Sequence, residues 1–262
     1  MGSRKLLGGL AAAVLLIVIA GGAFWYFVLR DDAPEKATLA GAIDSIGTSA
    51  PASAAAGSPV SGTGGTPGAA ATSATTAAAT TSASPSIAGT WVPDTTKETF
   101  VGYRVVEELA RVGTATAVGR TSGVTGSVVM TANSLQSAKI TADMTTLKSD
   151  SGMRDGQLRN QAIEYSKFPT SVFEVTEAMP LPEGLAGGQA VKTTLKGKLT
   201  LHGVTKDVQV PVEAQLKDGL LIVVGNIDIK FADYAINKPQ GASVLSIEDH
   251  GLMELQLILK KG

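Results

Sequence analysis

The chain has 262 residues, with 22 basic and 23 acidic side chains and a net charge of -1, so it offers no positive field for a phosphate backbone and argues against nucleic-acid binding. The absence of cysteine excludes disulfides, thiolate nucleophiles and Cys-ligated metal centres. Charged residues make up 17% of the chain, against about a quarter in an ordinary soluble domain, so part of it is either lipid-embedded or uncharged low complexity.

Residues 1–5 carry Arg4 and Lys5, and residues 6–29 follow as 24 positions without a charge. As a helix that run would measure about 36 Å, enough to cross a hydrocarbon core of about 30 Å. The expectation is a transmembrane anchor over 6–29, its N-terminus held in the cytoplasm by Arg4 and Lys5 and the rest of the chain outside. A cleaved signal peptide is the competing reading, because Gly21 and Ala23 form a small-x-small pair after an apolar stretch. Against cleavage, the apolar run continues through Phe24 to Leu29, with Trp25 and Tyr26 suited to the outer interface.

Residues 30–89 read as a disordered linker. Between Gly47 and Ser86, 39 of 40 positions are Ala, Gly, Ser, Thr or Pro, the exception being Val60. Such a stretch lacks the large side chains needed to offset backbone ordering, and as a flexible tether it would span roughly 40 Å. Its Ser/Thr density also resembles glycosylated stalks.

From residue 90 to 262 aromatic, charged and β-branched residues return together, over a length sufficient for one core. The dominant period is two. Along Val191 to His202 one face reads Val, Thr, Leu, Gly, Leu, Leu and the other Lys, Thr, Lys, Lys, Thr, His. Val208, Val210, Val212, Ala214 and Leu216 repeat the alternation, with Gly203 to Lys206 as the turn between the two strands. Asp218-Gly219 marks a second turn, leading into Leu220 to Ile229. Further strands are predicted over Phe100 to Glu108, Thr114 to Val118, Gly123 to Thr131, Ala138 to Leu147, Ser171 to Met179 and Leu252 to Lys260. One helical stretch, Met153 to Tyr165, would pack Leu158 and Ile163 on the domain. The fold class is therefore all-β, an antiparallel barrel or sandwich of long strands with one short helix.

Little in this domain converges on catalysis. There is no GxSxG, phosphate loop or HExxH, and the two histidines, His202 and His250, read as surface groups. Asp155 reads as a helix-start acid meeting unpaired amides, and Lys192, Lys196 and Lys198 as a solvated outer stripe. No metal site, cofactor or catalytic residue is predicted.

The segment Lys196-Gly197-Lys198-Leu199-Thr200-Leu201-His202-Gly203-Val204-Thr205-Lys206 resembles the "G-x-L-T-L-H-G-V-T-K" signature of the YceI-like family. Arg154-Asp155-x-x-Leu158, followed by Lys167-Phe168-Pro169 and a strand, resembles that family's second motif about forty residues earlier. The likeness runs from Trp91 to Lys260. It implies an eight-stranded lipocalin-like barrel that binds a polyisoprenoid, either polyprenyl or quinone-type, for storage or local transfer. Two histidines common in the family are missing, and Gln157 stands at the place of one. Tyr103, Arg154 or Gln157 would replace them near a ligand head group.

The residues that the resemblance turns toward such a ligand are Val101, Tyr103, Val105, Ile140, Ala142, Met144, Arg154, Phe173, Val175, Leu195, Leu199, Leu201, Val208 and Val210. An interaction or envelope-stress module without cargo is the rival reading, and a lipid-directed enzyme a more distant one.

Overall fold

The computed structural model describes residues 33–47, 86–110, 113–241 and 244–262. The predicted anchor over 6–29 and the greater part of the predicted linker lie outside these residues. Among the described residues no helix is long and apolar enough to cross a membrane.

The first element is a helix, α1 (Leu39–Gly47). Leu39, Ala42, Ile43 and Ile46 recur at the spacing of one helical face, and the Thr38 hydroxyl accepts a bond of 3.1 Å from the Gly41 amide at the helix start. The linker expected from residue 30 thus contains an ordered helix, and the apolar stripe is the physical reason.

The strands follow as β1 (Gly89–Pro93), β2 (Phe100–Leu109), β3 (Gly113–Thr121), β4 (Val124–Met130), β5 (Ser134–Asp143) and β6 (Lys148–Ser149). A short helix α2 (Gly152–Gln157) runs into a single π turn over Leu158–Ala162. Then come β7 (Thr170–Val175), β8 (Met179–Pro180), β9 (Val191–Leu201), β10 (Val204–Lys217), β11 (Leu220–Lys230), β12 (Val244–Ile247) and β13 (His250–Lys261).

Eight of these strands close a ring in the order β1-β4-β5-β7-β9-β10-β11-β13, with β13 returning to β1 through Trp91↔Lys261. Every pairing is antiparallel, so the predicted barrel with a short helix is what forms. Closure leaves no edge in this ring. At the other end of the barrel the first half of β13 pairs instead with β2, and β2 with β3, so β1 and β2 act as two segments of one bent wall.

Two hairpins set the register by turn chemistry. Asp218 and Gly219 both have positive φ, 51° and 76°, giving the two-residue β10–β11 turn that the sequence indicated. The β9–β10 turn falls at His202-Gly203, with φ of 50° and 74°, and pairs Leu201 with Val204. It lies one step earlier than the predicted Gly203–Lys206 turn. That shift lifts His202 out of the strand alternation. The histidine is buried, at 7% exposure, where a surface position was expected.

Outward-facing residues of β11 are buried as well. Ile222 and Val224 pack under Leu39 and Ala42 of α1, and Ile222 and Ala42 are both fully buried. Beside them, Glu254 on β13, 1% exposed, meets Arg104 Nε and Arg120 Nε, each at 2.9 Å. The chain just before α1 completes this cluster. Arg120 donates to the Glu35 carbonyl at 2.8 Å, Arg104 to the Pro34 carbonyl, and the Ala37 amide to Glu254 at 3.4 Å.

Candidate functional site: the barrel interior

Alternation along the strands sends one residue in two inward, and the inward set is almost wholly apolar. It does not fill the barrel. Two adjoining cavities of about 130 and 110 Å³ occupy the interior and share Val101 and Met253 in their walls.

The first cavity is lined by Val101, Ile140, Ala142, Phe173, Leu195, Leu199 and Val210 from the predicted set, together with residues such as Val223, Leu255 and Leu257. Its outer end is bounded by Met179 to Pro182 and Leu185. The second is lined by Val101, Tyr103, Val105, Met144, Arg154 and Leu201, and its end by Gln157, Ile163, Ile236 and Pro239. Leu158 and Ile163 also reach this wall, so the predicted helical stretch does pack on the domain.

Val175 and Val208 border neither cavity. Val175 is buried in the main core cluster, and Val208 packs against the cluster around Leu199 and Tyr234. Sequence reasoning omitted the walls contributed by β11 and β13. The signal was available, because Leu221, Val223 and Ile227, and Met253, Leu255, Leu257 and Leu259, follow the same period of two.

Two aromatic rings would be the natural obstruction in so narrow a space, and glycines on neighbouring strands move them aside. A Cβ on Gly119 would lie 2.4 Å from Cε1 of Tyr103, and a Cβ on Gly197 would lie 2.8 Å from Cζ of Phe173. Each ring therefore lies against the wall where a side chain is missing. The lumen stays open as a result.

The second cavity ends in a polar cap. Ser151 opens α2 by accepting from the Arg154 amide at 3.4 Å. Asp155 does not meet the helix's own free amides, as the sequence suggested. It accepts from the Ser149 amide and hydroxyl, both at 2.8 Å, and so fastens β6 to α2. Arg154 points back into the barrel and pairs with Glu107 on β2 and with Asp150. Burial works against its charge, but the two carboxylates outweigh burial and raise the guanidinium above its usual range. Gln157 donates to the Gln240 carbonyl at 3.2 Å and Gln161 accepts from the Gln240 amide at 3.1 Å, joining the helix to the loop across the barrel end.

His202 belongs to this end too, but behind the wall. Its Nδ1 lies 2.9 Å from the Tyr234 carbonyl and its Nε2 3.2 Å from Glu164, while Phe168 packs edge-on at 4.5 Å. The imidazole ties three segments together and borders neither cavity. Hydrogen bonds from Lys167 and His202 hold the Glu164 carboxyl below its usual range. His250 is half-buried among Asp228, Glu248 and Asp249. Among the described residues no group of three His, Cys, Asp or Glu side chains is placed to hold a metal.

The same architecture occurs in solved structures. A polyisoprenoid binding domain from Saccharophagus degradans implicated in plant cell wall breakdown superposes with a TM-score of 0.52 at 17% identity, covering 67% of this chain and 99% of its own. BcnA of Burkholderia cenocepacia superposes with a TM-score of 0.50 at 18% identity, covering 63% of this chain and 98% of its own. At these identities the likeness is one of fold. No curated protein matches the sequence. The YceI-like domain matches residues 91–258, which is the whole barrel apart from its extreme ends and more than half of the chain. The chain belongs to the YceI-like family.

Proposed function

We propose that this protein binds an isoprenoid lipid, polyprenyl or quinone-type, inside the barrel and stores it or passes it on close to a membrane. The observation that carries the reading is the pair of adjoining apolar cavities, with rings laid against the wall beside Gly119 and Gly197. An engineered apolar cavity of about 150 Å³ stays free of water and takes up benzene, so the two cavities together suit roughly two five-carbon units. At about 0.8 kcal/mol per buried carbon, each unit gains on the order of 4 kcal/mol gross, reduced by the cost of ordering. Polar contacts along the tail are not needed. The polyisoprenoid binding of the Saccharophagus domain supports the choice of ligand class. The apolar run 6–29 supports a membrane-anchored barrel on the outer side of the cytoplasmic membrane.

The test is to purify the full chain gently and weigh its bound small molecules by native mass spectrometry. A stoichiometric isoprenoid is expected, lost when Leu199 is replaced in Leu199→Asp. If the folded variant keeps its lipid, or the wild type carries none, the barrel serves another purpose, such as protein interaction.

A further inference from the structure

Eight hydrogen-bonded strands in a closed ring leave no gap in the side of the barrel, so cargo has to enter at an end. The two ends are closed in different ways. At the first cavity the plug is woven into the sheet. Met179 and Pro180 pair with β5, the Leu181 amide donates to the Asn133 carbonyl at 2.9 Å, and Gln215 of β10 donates to the Gly188 carbonyl at 2.8 Å. Leu185 beside them is buried, and Pro180 and Pro182 stiffen the chain.

At the second cavity the closure is a loop, residues 236–241, whose Ile236 and Pro239 border the void. It belongs to no strand. Its stem is fixed, because the Tyr234 carbonyl lies 2.9 Å from Nδ1 of His202 and the Ile236 amide donates to the Phe231 carbonyl at 3.0 Å. Between them Ala235 turns the chain with a φ of 51°.

Beyond the stem, surface hydrogen bonds hold the loop down. Gln157 donates to the Gln240 carbonyl at 3.2 Å, Gln161 accepts from the Gln240 amide at 3.1 Å, and Lys238 donates to the Ile247 carbonyl at 3.1 Å. A segment held by a few solvent-exposed hydrogen bonds opens at far lower cost than one woven into a sheet. Gln161 also belongs to the single π turn, a widening of helices that recurs at functional sites.

We infer that residues 236–241 are a lid swinging on Ala235, and that cargo enters and leaves beneath it while the plug at the other end stays shut. This rests on the reading of the barrel as an isoprenoid site. The chain has no cysteine, so introduced pairs can be bridged selectively. Gln161→Cys with Gln240→Cys spans the lid, and Asn133→Cys with Glu183→Cys spans the plug. Each pair is joined by a bismaleimide whose internal disulfide is cleaved by reductant. The full chain in phosphatidylcholine nanodiscs is loaded with deuterated geraniol, a two-unit isoprenoid, and mixed with unlabelled geraniol. Exchange is followed by native mass spectrometry.

Bridging the lid should slow exchange at least tenfold, with full recovery on reduction, and bridging the plug should leave it unchanged. Gln161→Ala loses one lid bond at a position that borders neither cavity. It should speed exchange about three- to tenfold and leave the amount bound unchanged. Exchange that persists through the bridged lid, slows at the bridged plug, or is indifferent to Gln161→Ala overturns the inference while leaving the isoprenoid reading standing. A wild type that takes up no geraniol removes both.

Discussion

Both faces of β11 and β13 carry buried side chains, yet they are covered by different partners. Outward, Ile222 and Ile258 are fully covered, Ile222 by α1, and Glu254 is locked between two arginines and the chain before the helix. Inward, Leu221, Val223, Leu255 and Leu257 line a cavity that no protein atom fills. Ordinary packing would close the second space as tightly as the first. Stability in this domain is therefore built on the outside of the wall as much as within it, and the inside is left available for cargo.

The comparison breaks most sharply at Glu254. Replacing it in Glu254→Gln leaves Arg104 and Arg120 facing each other without their shared carboxylate, and a loss of about 3 to 5 kcal/mol is expected in urea unfolding. Lipid content per folded molecule should not change. Neighbouring positions on one strand sharpen the contrast. Ile222→Ala removes a fully packed outward side chain and should cost about 2 to 5 kcal/mol, while Val223→Ala, which already faces a void, should cost about 1 kcal/mol or less and alter ligand preference instead. Equal losses at the two sites would show that the interior is packed in solution.

A smaller effect is expected at the seam where β1 meets β13. Hydrogen bonds from the Thr96 hydroxyl and amide, at 2.8 and 3.1 Å, outweigh burial and hold the Asp94 carboxyl below its usual range, with Lys260 contributing at 3.3 Å. A carboxylate with a depressed folded pKa stabilises above its unfolded value, about 3.9, and that contribution is lost as pH falls through the folded value. Asp94→Asn should therefore cost about 1 kcal/mol at pH 7 and flatten the decline of Tm below pH 4.

The period of two made β9, β10 and β11 visible before any coordinates, and Asp218-Gly219 fixed one hairpin. The other turn was misplaced because His202 looks like one more outward residue of an alternating strand. Only its positive φ, a property of the chain's path, reveals it as a turn residue. Alternation marked the inward faces of β9 and β10, and the family resemblance those of β2, β5 and β7, whereas Val175 and Val208 show that an inward position need not border the void. Two signals went unread. The spacing of Leu39, Ala42, Ile43 and Ile46 marked a helix inside a weakly structured composition, and the continuous apolar run from Leu220 to Val224 marked a strand buried on both faces. Neither stripe names its partner, so the joining of α1 to β11 required the fold.

Because the chain before and within α1 is fastened to the outer wall and β1 enters that same wall at Gly89, residues 33–47 belong to the body of the barrel.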